Sequence, residues 1–483
     1  MEHKSTKKGK ALALALLTAL LIGVNLFYIA ECDELYFTAW DFASLGDRLL
    51  SRPIPKGDYV IGQMHNGRLL GNLLGVAEAK LLLSPLGWLR AFLFAGLLMA
   101  LALLLQKTGA SRCAYGLPAA LVLVLCAPRG VYANVYSWGV AFVNYLLPML
   151  GFLLCRLLLQ RQADAGPGRI LGLFLLALFT QLFVETFTIS MCLYGLLLLF
   201  RRELPLRLRA AAFGGFLLGA LCMFLNPEYR TVAQGGAIYS VGLSWAKGIS
   251  AAKQICQALV LEALPLALLF SGLLAFRLQR EGKAGWLVGL LLLSMWAGTD
   301  LWLVSRRAAL PTMASLCCGA LFLLSWLLSL LLLRDRALLE LLLIAGASLA
   351  PLLVLQEGLA PRMYFEAYLL LGLGVLKLLP QRVPREKLLH GGLLALCAFW
   401  LAGMLYIYSR NSAVNRARLE LGRAELERGA VTLTLPLVPY PDYLTNEHPG
   451  KGDLGFLLFR DTPLDTPLIF VPYESWTAAQ AQP

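Results

Sequence analysis

Leu-rich apolar runs separated by short basic loops recur along the chain from Ala11 to Tyr408. Most are about 14 to 22 residues long, close to what carries a helix across the hydrocarbon core of a bilayer. Hydrocarbon offers no water to backbone N–H and C=O groups, so each run must be helical and satisfy its own backbone. The pattern predicts an all-α, polytopic integral membrane protein. Spans are expected near 11–30, 88–105, 115–127, 139–155, 210–225, 258–276, 284–304, 310–333, 338–355, 363–376 and 388–408. The stretch 170–200 is long for one span and short for two, and basic loops flank it on both sides. A hairpin of two short helices turning near Glu185 satisfies that charge pattern, which brings the count to about thirteen helices.

Two polar segments interrupt this regularity. One, 31–87, follows the first run, and the other, 409–483, closes the chain. The chain therefore divides into a transmembrane domain, 1–408, with a long first extracytoplasmic loop, and a small extracytoplasmic tail. Arg410, Arg416, Arg418, Arg423 and Arg428 at the start of the tail fall on a helical stretch, and a segment rich in Pro and Tyr follows.

Composition agrees with the membrane assignment: 59% of residues are hydrophobic, 15% are charged and the mean hydropathy is +0.69. The formal charge of +13 would fit nucleic acid if the basic residues shared one soluble face. They mark topology instead. Lys4, Lys7, Lys8 and Lys10 precede the first run, and later knots occur at 107–112, 156–169, 201–209, 277–283, 334–336 and 377–387. With these loops in the cytoplasm, the N-terminus is cytoplasmic, and 31–87 and the C-terminus are extracytoplasmic. The N-terminal Lys cluster resembles a secretory signal. Its apolar run is longer than an h-region and no A-x-A site follows, so it is expected to persist as a signal anchor.

Among the ten cysteines, Cys113, Cys126, Cys155, Cys192, Cys222, Cys317, Cys318 and Cys397 fall in or beside apolar runs, where they act as small hydrophobes. The four histidines are scattered and form no metal pattern. No Gly-rich phosphate loop precedes a helix, so a soluble nucleotide donor has no support.

The informative polar residues lie on or near the exported side. Asp33 and Glu34 follow the first run, with Tyr36, Phe37 and Trp40 beside them. A carboxylate partly desolvated at an interface suits proton abstraction from a hydroxyl. Further along the same loop stand Asn66, Gly67 and Arg68. Asn144 and Tyr145 interrupt the fourth run one turn before Pro148, and Glu185 is a lone carboxylate between apolar stretches, a functional candidate by position. Arg230, Arg306, Arg307 and Arg362 sit on the side that the topology rule disfavours for cations. Guanidinium contacts to a phosphate account for them there; pairing with Asp300, Glu357 or Glu366 is the structural alternative.

Asp33-Glu34-Leu35-Tyr36, Asn66-Gly67-Arg68, Trp138-Gly139 with Asn144-Tyr145-Leu146-Leu147-Pro148, the Glu185 segment, Pro227-Glu228-Tyr229-Arg230 and Val431 to Pro436 together resemble the GT-C class of polytopic glycosyltransferases, and more closely a bacterial branch of it. The resemblance implies transfer of a sugar from a polyprenyl-phosphate donor to a cell-envelope glycan, lipid or protein acceptor outside the bacterial plasma membrane. It implies Asp33 as general base and Glu34 as second acid, with Arg68, Asn144, Tyr145, Glu185, Arg230, Arg306, Arg307 and Arg362 binding substrate. Glu34 stands where Asp is common in the pattern, which leaves a Mg or Mn requirement open. The rival reading is a lipid-linked saccharide flippase or other multi-span transporter, which predicts charged residues lining a mid-membrane cavity and internal repeats.

Overall fold

A computed structural model describes residues 2–30, 67–82, 84–160, 166–226, 229, 244–354, 360–445 and 467–480. Asp33, Glu34, Asn66 and Arg230 lie outside the described residues.

The architecture is a bundle of apolar helices. In chain order they are α1 (Glu2–Leu26), α2 (Leu69–Leu82), α3 (Gly87–Gly109), α4 (Gly116–Leu125), α5 (Gly139–Gln160), α6 (Pro167–Thr180), α7 (Glu185–Leu199) and α8 (Leu206–Phe224). There follow α9 (Trp245–Gln257), α10 (Leu264–Arg280), α11 (Gly285–Ser305), α12 (Thr312–Leu333), α13 (Arg336–Leu349), α14 (Phe365–Leu378) and α15 (Glu386–Glu427). Among the described residues, 7 helices are long and apolar enough to cross a membrane, or up to 8 if the bent pair 116–125 and 129–136 counts as one span. This is an all-α membrane protein.

The stretch 170–200 is two helices of 14 and 15 residues, α6 and α7, with the turn at 181–184. At about 1.5 Å per residue each is shorter than a bilayer's hydrocarbon core of about 30 Å. Glycines on α8 let it nest against this hairpin. A Cβ at Gly215 or Gly219 would press on backbone oxygens of Phe174 and Leu178 in α6, while Gly195 of α7 faces Phe213 and Phe216 of α8. The contacts run parallel along α6 and antiparallel along α7, so the chain reverses at the turn.

Three elements depart from the sequence expectation. Residues 69–82, expected as part of the first loop, form α2, whose Gly71, Asn72, Gly75, Val76, Glu78 and Ala79 are buried against α3 and α5. Its apolar run is short and carries Glu78, which removes it from a hydropathy scan. Between α4 and α5 the chain bends by 70° into a short helical segment, Arg129–Val131, continued by a π-helical turn, Tyr132–Tyr136. In the tail, strands β1 (Leu433–Pro436) and β2 (Leu468–Val471) pair in parallel, Leu433 opposite Leu468.

Contacts sort the loops onto two ends. At one end Glu340 accepts from Arg156 and Arg201, Arg277 pairs with Asp335, and Tyr115 donates to the Pro380 carbonyl. The basic knots that lie along the sequence from 107 to 387 therefore share one end. At the other end Tyr28 stacks on Tyr408, Leu70 and Gly71 N–H groups donate to the Leu182 carbonyl, and the tail docks through Asp442 to Arg129 and through Thr445 to the Ala133 carbonyl. The 42-residue α15 carries the chain through this second end, where Asn411 of α15 holds the backbone of Tyr440.

Buried polar groups mostly find partners close by. Ser294, Ser325, Ser329 and Ser348 donate to carbonyls of their own helices, and Trp326 Nε1 donates to Ser271 Oγ at 2.8 Å, joining α12 to α10. Glu78 and Arg90 form an ion pair whose side chains are 5% and 2% exposed, with the guanidinium 4.3 Å from the Tyr28 ring and 4.7 Å from the Phe94 ring.

The α2–α5 crossing depends on a missing side chain. A Cβ on Gly71 would overlap the Asn144 carboxamide. Gly71→Ala is therefore expected to lower stability by about 1 to 3 kcal/mol, as overpacking does. Asn144→Ala in the same chain should recover part of that loss. Equal thermal midpoints for Gly71→Ala and the parent would show that the two helices do not pack this closely.

Candidate functional site

A polar knot occupies the end opposite the basic loops. The chain enters α2 through Gly67 and Arg68, held by the Leu182 carbonyl in the α6–α7 turn at 3.0 and 3.2 Å from the Leu70 and Gly71 nitrogens. That anchorage presents Arg68 to Glu185, the first residue of α7. Arg68 Nε lies 3.0 Å from both carboxylate oxygens and Nη2 lies 2.7 Å from Oε2. Tyr229 Oη donates to Glu185 Oε1 at 2.6 Å and accepts from the Gly67 N–H at 3.0 Å. The side chains of Arg68 and Glu185 are 28% and 21% exposed. Among the described residues the knot is sheltered and partly exposed. Glu185 also gains from its place in the first turn of a helix, where the macrodipole favours a carboxylate.

Asn144 and Tyr145 of α5 flank this group. Tyr145 is within electrostatic reach of Arg68, and Asn144 lies against Gly71. The Asn144 amide donates to the Val140 carbonyl at 2.9 Å, whereas its Oδ1 is buried without a hydrogen-bond partner among the described residues. Pro148 supplies no N–H, which also frees the Asn144 main-chain carbonyl. Two acceptors thus sit beside an arginine, a carboxylate and two phenols, an arrangement suited to hydroxyl-rich ligands.

The structure thus brings together Arg68, Asn144, Tyr145 and Glu185 from the sequence-derived set. It does not add Arg306 and Arg307, which are exposed at the end of α11; that helix packs chiefly on α10 and α12. Arg306 stacks 4.7 Å from the ring of Trp302 one turn earlier. Arg362 precedes α14 and stacks 4.8 Å from the ring of Trp138, next to α5. Among the described residues neither forms an ion pair with Asp300 or Glu366, and Glu357 lies outside them; the Glu366 carboxylate accepts from Ser190. Beside Arg362, Tyr364 donates to Glu262, and Pro361 packs on Gly130, so a second polar rim lies under the docked tail.

Tyr229, Glu78 and Arg90 join the polar groups of the structure without belonging to the sequence-derived site set. Glu78 and Arg90 did carry a signal: charges of opposite sign interrupt the apolar runs on either side of one short turn, with Lys80 close to Glu78. Tyr229 stands in the Pro227-Glu228-Tyr229-Arg230 motif, but its contact with Glu185 depends on where α8 ends. Among the described residues no group of three His, Cys, Asp or Glu side chains gathers as a metal site.

An apolar cavity of about 340 Å³ lies between α9, α10, α12, α13 and α14. Its wall runs from Leu338 to Leu353 along α13, with Trp326 and Phe270 at one side and Ala367 to Gly374 at the other. No family model, curated protein or solved structure matches the chain.

Proposed function

We propose that the chain is a membrane glycosyltransferase that moves a sugar from a polyprenyl-phosphate donor to a cell-envelope acceptor on the extracytoplasmic side. The observation that carries this reading is the knot of Arg68, Glu185, Tyr229, Asn144 and Tyr145, gathered from distant parts of the sequence at the end away from the basic loops. The apolar cavity supports a lipid-borne substrate. In this reading Asp33 takes the proton of the acceptor hydroxyl as that oxygen bonds the anomeric carbon. The bond from that carbon to the phosphate oxygen breaks, and polyprenyl phosphate leaves with inversion. Glu34 assists, and Arg362, at the rim beside Trp138, meets the leaving phosphate. Arg68 holds Glu185 in place beside the sugar hydroxyls.

The helices from α1 to α15, without α2 and α9, are read as thirteen crossings, with α6 and α7 as two short ones. Cysteines introduced at Lys4, Arg202 and Arg382 should then react only from the cytoplasm. Those at Asp58, Lys247 and Asp453 should react from outside. Labelling of the Asp453 position from the cytoplasm would remove one crossing and with it the extracytoplasmic tail.

A further inference from the structure

At the basic end, four helix ends meet around one carboxylate. Glu340 of α13 accepts from Arg156 Nη1 at 3.0 Å through Oε1 and from Arg201 through Oε2, so both oxygens are committed. Arg156 and Glu340 are 5% and 7% exposed at the side chain, whereas Arg201 is 27% exposed. Lys377, in the last turn of α14, feels Arg156, Arg201, Glu340 and Asp335, yet forms no ion pair with any described residue. Asp335 is taken: Arg277 pairs with it at 2.6 Å, and its other oxygen caps α13 through the Leu338 N–H. Glu281 is shared by Arg277 and Lys283. Five basic side chains against three carboxylates leave two positive charges at a membrane boundary.

Helix C-terminal dipoles would ordinarily offset such charges. Here the carbonyls near two of those ends accept from other arginines, Leu158 from Arg169 and Leu199 from Arg209. Arg156 Nε, moreover, is buried with no hydrogen-bond partner among the described residues. Partly buried cations without counter-charge are costly, and basic pockets between helices at the cytoplasmic boundary fit phosphate head groups.

We infer that Arg156, Arg201 and Lys377 form a phosphate-binding site at the basic end of the bundle, placed to take the head-group phosphate of an anionic lipid. Arg201 offers the free part of its fork, and Lys377 a point charge beside it. The site is independent of the glycosyl-transfer reading and lies at the other end of the molecule.

The test is binding of phosphatidylglycerol, phosphatidylcholine and inorganic phosphate to the full chain in detergent, by native mass spectrometry and thermal shift. Phosphatidylglycerol should bind more tightly than phosphatidylcholine, and Lys377→Gln should weaken it about fivefold, as expected for one basic group at an anionic head group. Exposed Arg334→Gln should leave binding unchanged. Competition by inorganic phosphate assigns the site to free phosphate, and its absence assigns it to the lipid; both sustain a phosphate site. Because Lys377 makes no ion pair with any described residue, Lys377→Gln is expected to fold. A raised midpoint with unchanged phosphatidylglycerol affinity in that variant, or equal affinity for the two lipids, overturns the inference.

Discussion

Arg68→Ala is expected to lower the unfolding free energy by about 3 kcal/mol, the low end of the range for breaking a buried ion pair. The loss arises less from the missing attraction than from what remains. Glu185 keeps only the Tyr229 hydroxyl among its two side-chain partners, inside a bundle that offers it little water. The low end applies because the two side chains are 28% and 21% exposed. Arg68→Met combined with Glu185→Leu should recover most of the stability, since an apolar pair leaves no orphaned charge. It should not recover activity. Chemical unfolding followed by tryptophan fluorescence would measure all three proteins. A change below about 1 kcal/mol in Arg68→Ala would place the pair among ordinary exposed salt bridges.

Asp33→Asn is expected to reduce sugar transfer by at least about 100-fold, the lower bound for loss of a general base. Asn preserves size and polarity but cannot accept the proton of the attacking hydroxyl. Glu34→Gln should cost less unless a divalent ion is bound. The two variants should match the parent in expression and membrane insertion, because a change between two small polar residues alters no apolar segment. Retention of full transfer by Asp33→Asn would exclude it as the base and direct attention to Glu34 and to Glu185 in the knot.

Hydropathy made the helical runs legible because each crossing must satisfy its own backbone, a demand written into sequence rather than into tertiary contacts. The same logic located Asn144, Tyr145 and Glu185, each a polar interruption of an apolar stretch, whereas Arg68 stood out in the polar first loop through its Asn66-Gly67-Arg68 element. What it did not contain was pairing. The family resemblance implies Arg68 as a substrate-binding residue, and in the structure its guanidinium pairs with Glu185. That contact requires the α6–α7 turn to stand against the start of α2. The arginines at 306 and 307 were grouped with 362 by sidedness alone, and sidedness does not specify which part of a rim a residue occupies. The helix α2 was hidden by Glu78, whose charge is answered by Arg90 across a turn.

The decisive measurement is incubation of the purified chain in lipid with radiolabelled sugars carried on polyprenyl phosphate and an acceptor fraction from a bacterial envelope. A glycosyltransferase moves label to the acceptor with release of polyprenyl phosphate, in a reaction dependent on Asp33. Movement of intact lipid-linked sugar across the bilayer without transfer, over a broad donor panel, would contradict it.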